Sequence, residues 1–138
     1  MSAANIVLAL SAFLSMQCAH ACMPGKNIDV YFASNSSVVT ASEMLRLANW
    51  MVDQRIKYPR QKAITVGGYA EEGERSPKSL AAERLHAVAR TLKETNFNQV
   101  PVQEHFGVYR PGDVSNGRRV EISLLPACPD ECCGPSGR

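Results

Sequence analysis

The sequence predicts an α+β domain, a two-layer sandwich with two helices packed on one face of a small mixed sheet. Three observations lead there. Stretches of β-branched and aromatic residues alternate with two long segments of helical period, in the order β-α-β-α-β-β. Turn-forming clusters separate these segments at short intervals. The composition, 45% hydrophobic and 20% charged over 138 residues, is that of one globular unit with a single core.

Each element has a local reason. Residues 28–33, IDVYFA, read as a first strand, and Ser34-Asn35-Ser36-Ser37 as the polar turn that ends it. Thr40-Ala41-Ser42-Glu43 has the form of a capping box, in which a hydroxyl and a carboxylate satisfy the free N–H groups of a helix start. Met44, Leu47, Ala48 and Met51 then recur at helical spacing, giving a helix over about 41–56 that stops before Tyr58-Pro59. Residues 63–69, AITVGGY, form a second strand, where Gly67 and Gly68 predict close approach by a neighbour or a ligand. A charged loop, AEEGERS, leads to Ser76 as cap and Pro77 in the first turn of a helix over about 77–95. VQEHFGVY (102–109) and RRVEISLL (118–125) are the last two strands, with Val120, Ile122 and Leu124 on one face of the second. Two helices with apolar stripes are covered most simply by one shared sheet face.

The two ends differ from this core. No Lys, Arg, Asp or Glu precedes Lys26, and Ile6–Leu14 is an apolar run of signal-peptide length, too short to span a bilayer. Ala19-His20-Ala21 then offers a small-x-small cleavage site. Residues 1–21 are therefore read as a signal peptide and 22–138 as the mature chain, exported to the periplasm or outer membrane. The alternative is a lipoprotein acylated at Cys22, or at Cys18, although neither follows a lipobox. Cys22, Cys128, Cys132 and Cys133 are the disulfide candidates of an oxidising compartment, and their pairing is left open. No second Cys or His pair stands at zinc-ligand spacing. A formal charge of +2 without a basic run interleaved with aromatics excludes nucleic acid as the predicted partner.

One charged residue stands out. On a wheel of about 100° per residue, Arg84 falls between Leu80 and Val88, at the edge of the stripe that should face the sheet. A guanidinium there needs an anion or must reach out to water. The loop before the helix offers Glu71, Glu72 and Glu74, of which Glu71 follows the second strand directly. A carboxylate and a guanidinium lining one hollow suit a zwitterion; the alternative is a plain salt bridge.

The succession Gly68-Tyr69-Ala70-Glu71, Leu80-Ala81-Ala82-Glu83-Arg84-Leu85-His86-Ala87-Val88 and Asn116-Gly117-Arg118-Arg119-Val120-Glu121-Ile122 resembles the motif order of OmpA-like C-terminal domains, as does Tyr31-Phe32 with Asn35-Ser36-Ser37. The resemblance covers about residues 28–125. It implies non-covalent binding of peptidoglycan through meso-diaminopimelate in the stem peptide, with Arg84 on its carboxylate and Glu71 in the place of the family's ammonium-binding Asp. Asn35 and Arg119 are further candidates for the same site. The chain departs from the pattern at Ala70, Glu71 and Ala81, and in a shorter spacing from Glu71 to Arg84. The resemblance implies no cofactor and no enzymatic activity, and no nucleophile–base set appears at usable spacing. The competing readings are an OmpA-like structural or interaction module that has lost its ligand, and a thiol oxidoreductase using Cys132-Cys133.

Overall fold

The computed structural model describes residues 25–128. They form β1 (Lys26–Tyr31), α1 (Ala41–Lys57), β2 (Gln61–Glu71), α2 (Pro77–Glu94), β3 (Val102–Tyr109) and β4 (Arg119–Pro126). The sheet order is β1-β4-β2-β3. β2 and β3, joined through α2, run parallel, and β4 lies antiparallel between β1 and β2. The expected two-layer α+β arrangement is present, with the helices on one face only.

The core lies between helices and sheet. Val30, Ile64, Val66, Val120, Ile122 and Leu124 meet Leu47 and Met51 of α1 and Leu85, Val88 and Leu92 of α2, closed below by Phe97. The alternation in β4 is strict, every second residue being buried. Met51 belongs to this core, whereas Met44 lies on the exposed edge of α1. Gly68 is where α2 crosses the sheet. A Cβ there would run into the Ala81 carbonyl oxygen and lie 2.6 Å from the Leu85 Cβ, so only glycine permits this approach.

Both helix starts differ from expectation in detail. The Thr40 hydroxyl accepts from the Glu43 N–H at 3.3 Å, but the Glu43 carboxylate does not return the favour to Thr40. It accepts instead from the Tyr31 N–H at 2.8 Å and from Arg46 at 2.6 Å, tying α1 to β1. Ser76 adopts φ 45° and makes no side-chain cap; Pro77 alone marks the start of α2. Cys22, Cys132 and Cys133, like the predicted signal peptide, lie outside the described residues. Among the described residues no helix is long and apolar enough to cross a membrane.

Candidate functional site

The apolar stripe of α2 carries Arg84 into the interior, where its exposure is 0%. A buried guanidinium is tolerable only if every N–H finds an acceptor. All five do. Nε donates to the Ser36 carbonyl at 2.8 Å, one Nη to the Tyr69 carbonyl at 3.0 Å, and the other Nη to the Ala33 carbonyl at 3.2 Å. The remaining two N–H groups fork onto the Glu74 carboxylate at 2.8 and 2.6 Å. The Phe32 ring lies beneath, 5.3 Å from the guanidinium carbon.

Glu74 is held equally firmly. Besides the two bonds from Arg84 it accepts from the Asn35 N–H at 2.8 Å and the Glu71 N–H at 2.9 Å. Burial pushes its carboxyl up, but Arg84 and the backbone donors of Glu71 and Asn35 outweigh burial and hold it at about 2. Arg84 and Glu74 therefore pin together the β1–α1 loop, the end of β2 and the β2–α2 loop. Asn35 completes this junction. It takes the left-handed conformation, φ 57°, and its side-chain oxygen accepts from the Arg75 N–H at 2.7 Å.

The predicted convergence of Glu71 and Arg84 is thus corrected: the carboxylate on Arg84 is that of Glu74. The reason is register. β2 continues through Glu71, two residues beyond the predicted strand end. Ile64, Val66, Gly68 and Ala70 face the helices, so Glu71 projects from the opposite face. There its carboxylate accepts from the Gly117 N–H at 2.9 Å and from Arg118 at 3.2 Å, fastening the β3–β4 turn. Glu71 also lines an open hollow of about 340 Å³ together with Glu72, Tyr109, Arg110, Ser115 and Gly117. Asn35 lies at the Glu74 junction and not at this hollow.

Arg119 lies elsewhere again, on the sheet face away from the helices. It pairs with Glu121 at 2.6 Å and Asp29 at 3.6 Å, and its guanidinium sits 5.4 Å from the centre of the Tyr109 ring. Burial lowers its affinity for a proton, but Glu121, Tyr109 and Asp29 more than restore it and raise its pKa. Tyr109 stacks on Tyr69 with centroids 4.6 Å apart and bonds Glu121 at 2.9 Å. The His105 ring meets the Tyr69 hydroxyl at 2.9 Å. The four predicted site residues therefore fall into three places: Arg84 with Asn35, Glu71 alone, and Arg119. Among the described residues no group of three His, Cys, Asp or Glu could hold a metal ion.

Sequence reasoning missed Glu74 as the partner of Arg84. The available signal was the period-2 pattern of β2. Counting outward from Ile64 and Val66 places Glu71 on the wrong face and leaves the loop carboxylates as the only partners within reach.

No protein-family model matches the chain, and no curated protein matches it. Solved structures do. The chain is similar to the OmpA-like domain of FopA1 from Francisella tularensis, with 23% identity over 72% of each chain and a TM-score of 0.52. It is similar to the C-terminal domain of Helicobacter pylori MotB, with 20% identity over 75% of this chain and 88% of that one, at a TM-score of 0.57. The cell wall anchor of the T6SS from Pseudomonas aeruginosa matches at 20% identity over 75% of this chain and 82% of that one, at a TM-score of 0.56. At these identities the likeness is one of fold, and the fold is the OmpA-like one.

Proposed function

We propose that this domain is a non-catalytic module of the bacterial cell envelope that attaches to peptidoglycan without a covalent bond. The observation that carries the reading is an Arg84 guanidinium where the β1–α1 loop, the end of β2 and the β2–α2 loop meet in an OmpA-like fold, at the position that matches the family's carboxylate-gripping arginine. The ligand is the meso-diaminopimelate of the stem peptide, and the compartment is the periplasm or outer membrane to which the leader directs the chain. A solved structure with this fold, the cell wall anchor of the T6SS from Pseudomonas aeruginosa, supports the same direction.

Glu74 sets the condition for that attachment. Its carboxylate occupies the fork where the ligand's carboxylate would sit. Exchanging one carboxylate for another keeps Arg84 paired but releases the two backbone N–H groups bound to Glu74. Two charge-assisted bonds at roughly 1.5–3 kcal/mol each weaken ligand binding by about two to four powers of ten, unless the ligand bonds those N–H groups itself. The second reading, a structural or protein-interaction module that keeps the fold without the ligand, is favoured by the same closed pair.

Co-sedimentation with purified peptidoglycan separates them. Retention of the wild type that is competed by free diaminopimelate supports attachment through the stem peptide. Absence of retention in both the wild type and Glu74→Gln leaves the interaction module.

A further inference from the structure

The sheet face turned away from the helices carries two polar rungs in register. Asn27, Ser123, Thr65 and Gln103 form one across β1, β4, β2 and β3; Asp29, Glu121, Gly67 and His105 form the next. Gly67 leaves room in the second rung, and the His105 and Tyr69 rings lean into part of it, with His105 Nε2 only 2.5 Å from where a Cβ would stand. Beside them opens a hollow of about 210 Å³, bordered by Asn27, Asp29, Thr65, His105, Glu121 and Ser123. It is smaller than the roughly 300–1,000 Å³ of sites for drug-sized ligands, and suits a single ring.

Its polar atoms are largely uncommitted. The Asn27 amide and the Thr65 and Ser123 hydroxyls make no hydrogen bond with other described residues. Glu121 takes Tyr109 and Arg119 on Oε1, and Oε2 has no partner among the described residues. Asp29 likewise meets Tyr31 and Arg119 through Oδ2, leaving Oδ1. Two carboxylates face one guanidinium, so the hollow is net negative and repels anions. Carboxylate oxygens accept from hydroxyl groups, the Asn, Ser and Thr side chains both donate and accept, and the His105 ring edge offers an apolar wall.

We propose that this hollow is a binding site for an uncharged sugar ring presenting adjacent hydroxyl groups. Free carboxylate oxygens receive two of them, and Asn27, Thr65 and Ser123 bond the others. The site lies on the opposite side of the sheet from Arg84, so it stands or falls independently of attachment through diaminopimelate.

The test is an amide NMR titration of the full chain with cellotetraose, a soluble neutral sugar whose rings carry adjacent 2- and 3-hydroxyls, beside an acidic oligosaccharide and free diaminopimelate. The proposal expects shifts confined to β1, β4, β2 and β3 around these rungs, and weaker binding of the acidic sugar. Thr65→Val with Ser123→Ala should weaken the neutral sugar roughly tenfold while the spectrum keeps its dispersion; Asn27→Ala on the edge strand serves if that pair does not fold. No shifts up to about 10 mM, a Kd weaker than about 10 mM being too feeble for a site, would overturn the proposal. So would shifts centred on the Glu71 loop, or equal affinity in a folded variant.

Discussion

Replacing Glu74 with Gln tests whether Arg84 is a brace within the fold. The side chain keeps its size, but the carboxylate that receives four hydrogen bonds becomes a neutral amide. Arg84 stays buried at 0% exposure with no charge to balance it. Breaking a buried pair from one side costs about 3–5 kcal/mol, which for a domain of about 100 residues lowers Tm by roughly 15–25 °C. A pH series gives a second readout. The Glu74 carboxyl falls from an ordinary 4.5 to about 2 on folding. A depressed carboxylate pKa stabilises the folded state fully above 4.5, and that stability is lost as pH falls toward 2. The difference corresponds to about 3 kcal/mol. Urea unfolding of the wild type should therefore lose about this much between pH 5 and pH 2, and Glu74→Gln should lose correspondingly less. Glu71→Gln, at a half-exposed pair, should change stability by less than about 1 kcal/mol. If Glu74→Gln unfolds like the wild type at pH 7, or shows the same slope in acid, the brace does not exist.

Other outcomes follow from the packing. Gly68→Ala should destabilise by about 1–3 kcal/mol in urea unfolding, because the new methyl meets backbone and not a movable side chain. Thr40→Ala should cost about 1 kcal/mol through the lost bond to the Glu43 N–H, read as a lower Tm. Replacing both Arg84 and Glu74 by Met should be less damaging than replacing Arg84 alone, since no buried charge remains unpaired; chemical denaturation of the two variants decides this.

The element order was legible because it rests on period and turn chemistry, which are local. β3 spans 102–109 as expected, and the helices differ by one residue at their ends. The inward position of Arg84 was legible too, because Leu80 and Val88 flank it on the same stripe. Its partner was not. Three glutamates precede α2, and the choice among them depends on whether β2 runs on through Glu71, because the alternation set by Ile64 and Val66 then turns that side chain to the far face. Two extra residues of strand turned Glu71 outward and brought Glu74 under the guanidinium. The loop junction through Asn35 was equally hidden, since a left-handed residue receiving an N–H from another loop leaves no trace in spacing. The aromatic and charged layer on the far face depends on cross-strand register, which sequence order alone does not supply.

The most direct test of the account is a comparison of diaminopimelate affinity in the wild type and in folded Glu74→Gln at low temperature. If Glu74 holds the place of the ligand's carboxylate, the variant binds more tightly than the wild type, with the Arg84 Nε–H resonance shifting on titration. Equal or weaker binding by the folded variant, or an Arg84 resonance that never responds, would contradict it.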